Sequence, residues 1–309
     1  MPEGQKFSSP FKTAKGEQRA YVPFRQLETL WFNTGTLCNL ECQNCYIESG
    51  PRNDRLSYLT RNDILPFLSE IEKEHYPVKL IGLTGGEPFL NPHIFSLLEE
   101  ILSRGFPCLI LTNAYKVISK WKSKLSEYNE KYPRQMFLRV SLDHYTQKEH
   151  ENQRGNNTFS STIKSLRWLL ENQFQVSIAG RILKNETMEK AREGFKSLFR
   201  KNEIPFLPNE DNLVLFPEME ESASSTPEIT TTCWDILGKG PEGLMCSSER
   251  MIVKPKNSKA KVQACTLIPY KKEFQMGDNL KSSFGDIYLN HPFCSSFCVL
   301  GGSSCSKTY

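Results

Sequence analysis

Three thiols crowd one short stretch of this chain, at Cys38, Cys42 and Cys45 in Cys-Asn-Leu-Glu-Cys-Gln-Asn-Cys. Cysteines at such spacing serve zinc or an iron–sulfur cluster. A structural zinc site takes four ligands, usually as two Cys-x2-Cys pairs. The next cysteine, Cys108, lies in the apolar run Cys108-Leu-Ile-Leu-Thr112 and reads as core. Three thiolates instead suffice for three irons of a [4Fe-4S] cluster, which leaves the fourth iron open to a small molecule. Gly85-Gly86-Glu87-Pro88 follows forty residues on. Two glycines there let backbone approach a ligand closely, and Glu87 offers an acceptor, although such a tetrapeptide by itself is only a turn.

The elements that must carry these residues alternate between short apolar runs and longer amphipathic stretches, the pattern of strand–helix units around a parallel sheet. Strands are predicted at 29–32, 79–84, 108–112, 137–141, 175–179 and 213–216, and helices near 60–74, 92–104, 116–130, 159–172 and 187–200, several opening on a capping Thr, Ser or Asn. Six parallel strands joined by five crossovers predict an α/β fold with a partial barrel or open curved sheet. The thiol triplet then follows the first strand and the glycine motif the second, so both face one mouth of the sheet.

With that placement the sequence resembles the radical SAM enzyme superfamily, over roughly residues 28–216. The Cys-x3-Cys-x2-Cys loop ends in the aromatic Tyr46, and Gly85, Gly86, Glu87 and Pro88 match the superfamily segment that binds the amino group of S-adenosylmethionine. The resemblance implies a partial (β/α)6 TIM-like barrel in which Cys38, Cys42 and Cys45 ligate a [4Fe-4S] cluster. S-adenosylmethionine would chelate the open iron and be cleaved reductively to a 5'-deoxyadenosyl radical that takes hydrogen from a substrate carbon. It implies further that Ser141, ending the fourth strand, approaches the ribose; that Arg154 pairs with the methionine carboxylate; and that Asn113, ending the third strand, lines the adenosine pocket. An external electron donor such as flavodoxin or ferredoxin goes with such a reaction.

Polar residues around 218–232 read as a linker, and 233–309 as a small Cys-rich domain supplemented by metal. Cys246 and Cys265 flank a predicted β-hairpin, while Cys294, Cys298 and Cys305 share a Gly-rich loop. A zinc ribbon is one reading of these residues. They also resemble the twitch and SPASM extensions of radical SAM enzymes, which bind auxiliary [4Fe-4S] centres. The late spacings depart from the full SPASM pattern, which implies one auxiliary cluster held by Cys246 and Cys265 with two or three of Cys294, Cys298 and Cys305, and Cys233 as a spare.

Composition sets the remaining bounds. The net charge of +4 comes from 39 basic and 35 acidic residues mixed along the chain, which offers no field of one sign to hold nucleic acid. Residues 1–25 form a polar lead-in, not a signal peptide, and no window approaches the roughly 18 apolar residues that span a bilayer. The expectation is a cytoplasmic protein without membrane association, whose ten cysteines are not a disulfide framework. The expected activity is an oxidoreductase or modifying enzyme acting on a small molecule or a peptide; the first 25 residues carry no evident peptide-recognition module, which tilts slightly toward the small molecule. The competing expectation is a zinc-stabilised binding protein, with His75 or His93 supplying a fourth ligand.

Overall fold

A computed structural model describes residues 5–217 and 225–302. Strands β1 (Tyr21–Val22), β2 (Thr29–Asn33), β3 (Leu80–Thr84), β4 (Cys108–Thr112), β5 (Met136–Ser141), β6 (Gln175–Ile182) and β7 (Leu213–Pro217) are joined by helices α1 (Arg61–Lys73), α2 (Ile94–Ser103), α3 (Val117–Lys131), α4 (Gln147–Arg154), α5 (Thr158–Glu171) and α6 (Met188–Lys201). Beyond them lie α7 (Cys233–Leu237), β8 (Glu249–Val253), β9 (Lys261–Gln263) and β10 (Ile287–Tyr288).

The sheet runs β7-β6-β5-β4-β3-β2-β8-β9. Strands β2 to β7 are parallel neighbours in chain order, each pair joined by a helical crossover that holds one long helix, with the short α4 added between β5 and β6. Each predicted helix forms within two residues of its predicted ends. Alternation along the strands sorts the core into two layers. Leu30, Phe32, Ile81, Leu83, Ile110, Leu138 and Val140 point outward under the helices, and Trp31, Leu109, Met251 and Val253 fill the inner face.

Helix α4 was missed in the sequence because it has no apolar stripe: only His150 is buried, and Thr146 caps it by accepting from the Glu149 N–H. The hairpin between Cys246 and Cys265 forms as expected, β8 antiparallel to β9. Its first strand also pairs in parallel with β2, so the hairpin extends the barrel sheet at its open edge. The lead-in is tied to the chain's far end. β1 pairs with β10, and the fully buried Arg19 meets Glu228 at 2.6 Å and donates to the Leu289 carbonyl. Among the described residues no helix is long and apolar enough to cross a membrane.

Candidate active site

At the carboxyl ends of the strands a cavity of about 1170 Å³, counting its open mouth, is lined by Cys38, Cys42, Cys45, Gly85 and Gly86 together. The sheet thus brings the two motifs to one mouth. The cysteine loop is fixed by its own backbone and by β4. Cys38 N–H donates to the Gly50 carbonyl (3.1 Å), Leu40 N–H to Cys38 Sγ (3.4 Å) and Ser49 N–H to Cys45 Sγ (3.3 Å). Asn113 Nδ2 donates to both Cys38 Sγ (3.5 Å) and Asn39 Oδ1 (2.9 Å), so Asn113 lies in the cavity wall but faces the first cysteine. Burial pushes the Cys38 thiol up to about 12, with Glu87 adding to the rise, so a ligand role requires that a metal displace its proton.

The glycines work in a way the sequence did not disclose: they pack on the cysteine loop. Gly86 N–H donates to the Gly35 carbonyl (2.8 Å) and Glu87 N–H to the Leu37 carbonyl (3.1 Å). A Cβ on Gly86 would sit 2.6 Å from Leu37 C and 2.8 Å from Thr36 O, and closer still to Leu37 O. Glu87 turns away from the cavity. Its buried carboxylate accepts from Thr112 Oγ1 (2.9 and 3.0 Å), Asn113 N–H (2.8 Å) and Phe89 N–H (3.1 Å), which fixes the end of β4 to the glycine turn. Burial lifts its pKa to about 7 in spite of those donors. Pro88 opens the following short turn and is buried.

The opposite wall is polar. Residues at alternate positions on β5 and its extension, Arg139, Ser141 and Asp143, and on β6, Ala179 and Arg181, all line the cavity. Ser141 is where the sequence placed it. Arg154 lines the cavity too, but its fork is taken by Asp143, with Nε–Oδ2 at 2.8 Å and Nη2–Oδ1 at 3.0 Å. Burial alone would raise the Asp143 carboxyl; the guanidiniums of Arg154 and Arg181 outweigh it and hold the group below the usual range. Tyr46 lines the cavity beneath the Arg181 guanidinium, 5.0 Å from ring centre to Cζ. Sequence reasoning missed Arg181, Asp143 and Gln153. The strand predicted at 175–179 stops short of Arg181; the polar alternation Arg139, Ser141, Asp143 was the available signal. Gln153, next to last in α4, accepts from Gln43 N–H through its carbonyl (2.9 Å) and from Asn44 Nδ2 through Oε1 (2.9 Å), so α4 clamps the middle of the cysteine loop.

A second, smaller cavity lies under the hairpin, lined by Cys246, Cys265, Cys294 and Cys298 with Arg250 and Phe274. Burial raises the Cys246, Cys265 and Cys294 thiols; Cys246 adds to the rise at Cys265, and both add to the rise at Cys294. Thr266 lines both cavities. Cys233, at the start of α7 and against Thr230, lines neither cavity although it packs on the same apolar cluster as Cys246, Cys265 and Cys298, and Cys108 is fully buried in the main core. Cys305 lies outside the described residues. Among these, no three His, Cys, Asp or Glu side chains close on a single-ion site. Zinc bonds of about 2.3 Å demand such convergence, whereas a cluster spreads its thiolates over several irons. Neither His75, past the end of α1, nor His93, heading α2, lines the first cavity.

A family model described as the radical SAM superfamily matches residues 32–198, just over half the chain. The antilisterial bacteriocin subtilosin biosynthesis protein AlbA of Bacillus subtilis (strain 168) is 24% identical over 153 residues, covering 49% of this chain and 32% of AlbA. Among solved structures, anSMEcpe with bound S-adenosylmethionine aligns over 84% of this chain and 77% of its own, at a TM-score of 0.59 and 14% identity. Streptococcus suis SuiB bound to its precursor peptide SuiA aligns over 82% and 63%, at 0.57 and 15%. These structures share the fold; the chain spans about a third of AlbA and under two thirds of SuiB.

Proposed function

The chain belongs to the radical SAM superfamily, and from that premise we propose that it binds a [4Fe-4S] cluster through Cys38, Cys42 and Cys45, cleaves S-adenosylmethionine there, and modifies a peptide side chain. The observation that carries this reading is that, among the described residues, three cysteines and no fourth line the cavity walled by the glycine motif. When bound, the cluster and S-adenosylmethionine supply a carbon-centred radical able to take hydrogen from an unactivated carbon. The protein's own part is to hold the site. Gly85 and Gly86 keep the second strand's end pressed on the cysteine loop; Asn113 and the Leu40 and Ser49 amides donate to cysteine sulfur. Ser141 and the arginines present polar groups opposite, and Trp31, Leu111 and Phe216 supply apolar wall that keeps water from a reactive carbon.

The reading includes one auxiliary [4Fe-4S] cluster, supported by the four thiols that line the second cavity and meet the full ligand count without Cys305. Its role in this reading is to accept an electron from substrate, and Thr266, which lines both cavities, is the residue the two sites share. The peptide substrate rests on the relatives: SuiB binds a precursor peptide, and AlbA is named for bacteriocin biosynthesis. That sets aside the slight tilt toward a small molecule drawn from the first 25 residues. Anaerobic reconstitution tests the whole, with roughly eight irons per chain expected for two clusters. Cys42→Ala should abolish reductive cleavage of S-adenosylmethionine, while Cys265→Ala should halve the iron and keep part of that cleavage. A colourless protein carrying stoichiometric zinc would refute the reading.

A further inference from the structure

Beside its four thiols the second cavity is lined, among the described residues, by one cation and one carboxylate, Arg250 and Glu249. Glu249 accepts through Oε2 from the indole N–H of Trp31, at 2.7 Å. Arg250 is 1% exposed, and its guanidinium donates to main-chain carbonyls: Nε to Ser283 (2.9 Å), Nη1 to Cys246 and Glu249 (both 2.7 Å), and Nη2 to Gly285 (3.2 Å). Its face rests on the Phe24 ring, 4.4 Å from Cζ to the ring centre, and that ring stacks on Phe284. The guanidinium is thereby fixed beside the backbone of Cys246, and among the described residues no carboxylate joins it in an ion pair. Burial draws its pKa down to about 10, with the thiols of Cys246 and Cys265 and then Glu249 acting against that fall, so the group is charged at neutral pH. A buried cation held by neutral carbonyls is costly, and an anionic centre in the same cavity offsets that cost.

We propose that Arg250 is a redox-tuning residue, whose fixed positive charge raises the reduction potential of a [4Fe-4S] centre held by the four thiols of the second cavity and so eases transfer of the substrate's electron to it. The proposal rests on the auxiliary-cluster reading above. Four thiolates outweigh the positive charge of an iron–sulfur core, so such a centre is anionic, and reduction adds one more negative charge. A cation buried beside it favours the reduced form, because the attraction is little screened there. The substrate gives up one electron with the hydrogen atom it loses to the 5'-deoxyadenosyl radical and a second to the centre, and releases a proton as its new bond closes. A purely architectural Arg250, tying residues 283–285 to the base of the hairpin, would use the same hydrogen bonds and need no charge.

The test uses the full chain, reconstituted anaerobically on a Cys42→Ala background so that the signal comes from the second cysteine set, with iron content and thermal melting as integrity checks. The readout is the midpoint potential from an EPR-monitored titration with dithionite at neutral pH. Arg250→Gln should lower the reduced-to-oxidised ratio at a given potential by roughly tenfold or more, a fall in midpoint of about 59 mV or more for one electron. Arg250→Lys keeps the charge and should stay within about threefold of the parent. A glutamine variant that holds its iron and titrates like the parent overturns the proposal. So does a lysine variant that falls as far as the glutamine one, since shape and not charge is then at work. Where the glutamine variant does not hold iron, Arg250→Lys decides alone: a ratio within about threefold of the parent supports the proposal, and a roughly tenfold fall overturns it. A parent that takes up no iron, or takes up zinc in its place, instead overturns the auxiliary-cluster reading beneath it.

Discussion

Gly86→Ala isolates the contact between the glycine motif and the cysteine loop. The added methyl would lie 2.6 Å from Leu37 C and 2.8 Å from Thr36 O, with Leu37 O nearer still, and every one of these atoms is backbone. No side chain can swing aside, so the two segments must part. Overpacking of this kind costs about 1–3 kcal/mol, and parting strains the bonds Gly86 N–H to Gly35 O and Glu87 N–H to Leu37 O, at about 1 kcal/mol each. The expected loss is about 3–5 kcal/mol, which lowers the melting temperature of a chain this size by on the order of 10 °C. Because the displaced segment leads directly into Cys38, iron retained after anaerobic reconstitution should fall by about half, the second cysteine set being remote from the clash. Gly243→Ala is the control, since a Cβ there meets nothing within 4 Å. A Gly86→Ala protein that melts and binds iron like the wild type would refute the view that the glycines exist to seat the cysteine loop.

His150 is fully buried against the Phe159 ring, neither ring nitrogen has a hydrogen-bond partner, and burial, helped by Arg154, depresses its pKa to about 4. A depressed histidine means the unfolded chain takes up its proton first, so stability is full above about pH 6.5 and falls as pH drops toward 4, by at most about 3 kcal/mol. His150→Phe should flatten that part of a denaturation-versus-pH profile, and an unchanged slope would contradict the assignment. Asp143→Asn leaves two buried guanidiniums without their counter-charge and should cost about 3–5 kcal/mol at neutral pH in urea unfolding. The wild-type contribution of Asp143 persists from neutral pH down to about 3.9 and is lost only as pH falls through its lower folded value, so the difference between the two proteins should narrow only in strong acid. Gln153→Ala removes the side-chain bond to Asn44 and should make the first cluster more sensitive to a chelator while leaving the melting temperature within about 1 kcal/mol equivalent, since the main-chain bond from Gln43 remains.

Local chemistry made much of this protein legible in its sequence. Short apolar runs near Thr29, Leu80, Cys108, Met136, Gln175 and Leu213 mark strands covered on both faces of a parallel sheet, and the amphipathic stretches between them follow from the 3.6-residue turn. Both are properties of a few neighbouring residues, and so is the spacing of Cys38, Cys42 and Cys45. Helix α4 escaped because its cap and charged face carry no apolar period, and Arg181 because a strand's end depends on its neighbour's length: β6 runs on to Ile182 only because β7 pairs with it up to Pro217.

What the tertiary structure alone decided is who partners whom. Folding gives the Glu87 carboxylate to Thr112 and Asn113 and the Arg154 fork to Asp143, partners that the sequence did not disclose, because a buried charge without a partner is costly. It also gathered Cys246, Cys265, Cys294 and Cys298 around one cavity while setting Cys233 aside, a choice made by a hairpin pairing with β2 from over two hundred residues away. Such pairings join residues far apart in the chain, and no local spacing encodes them.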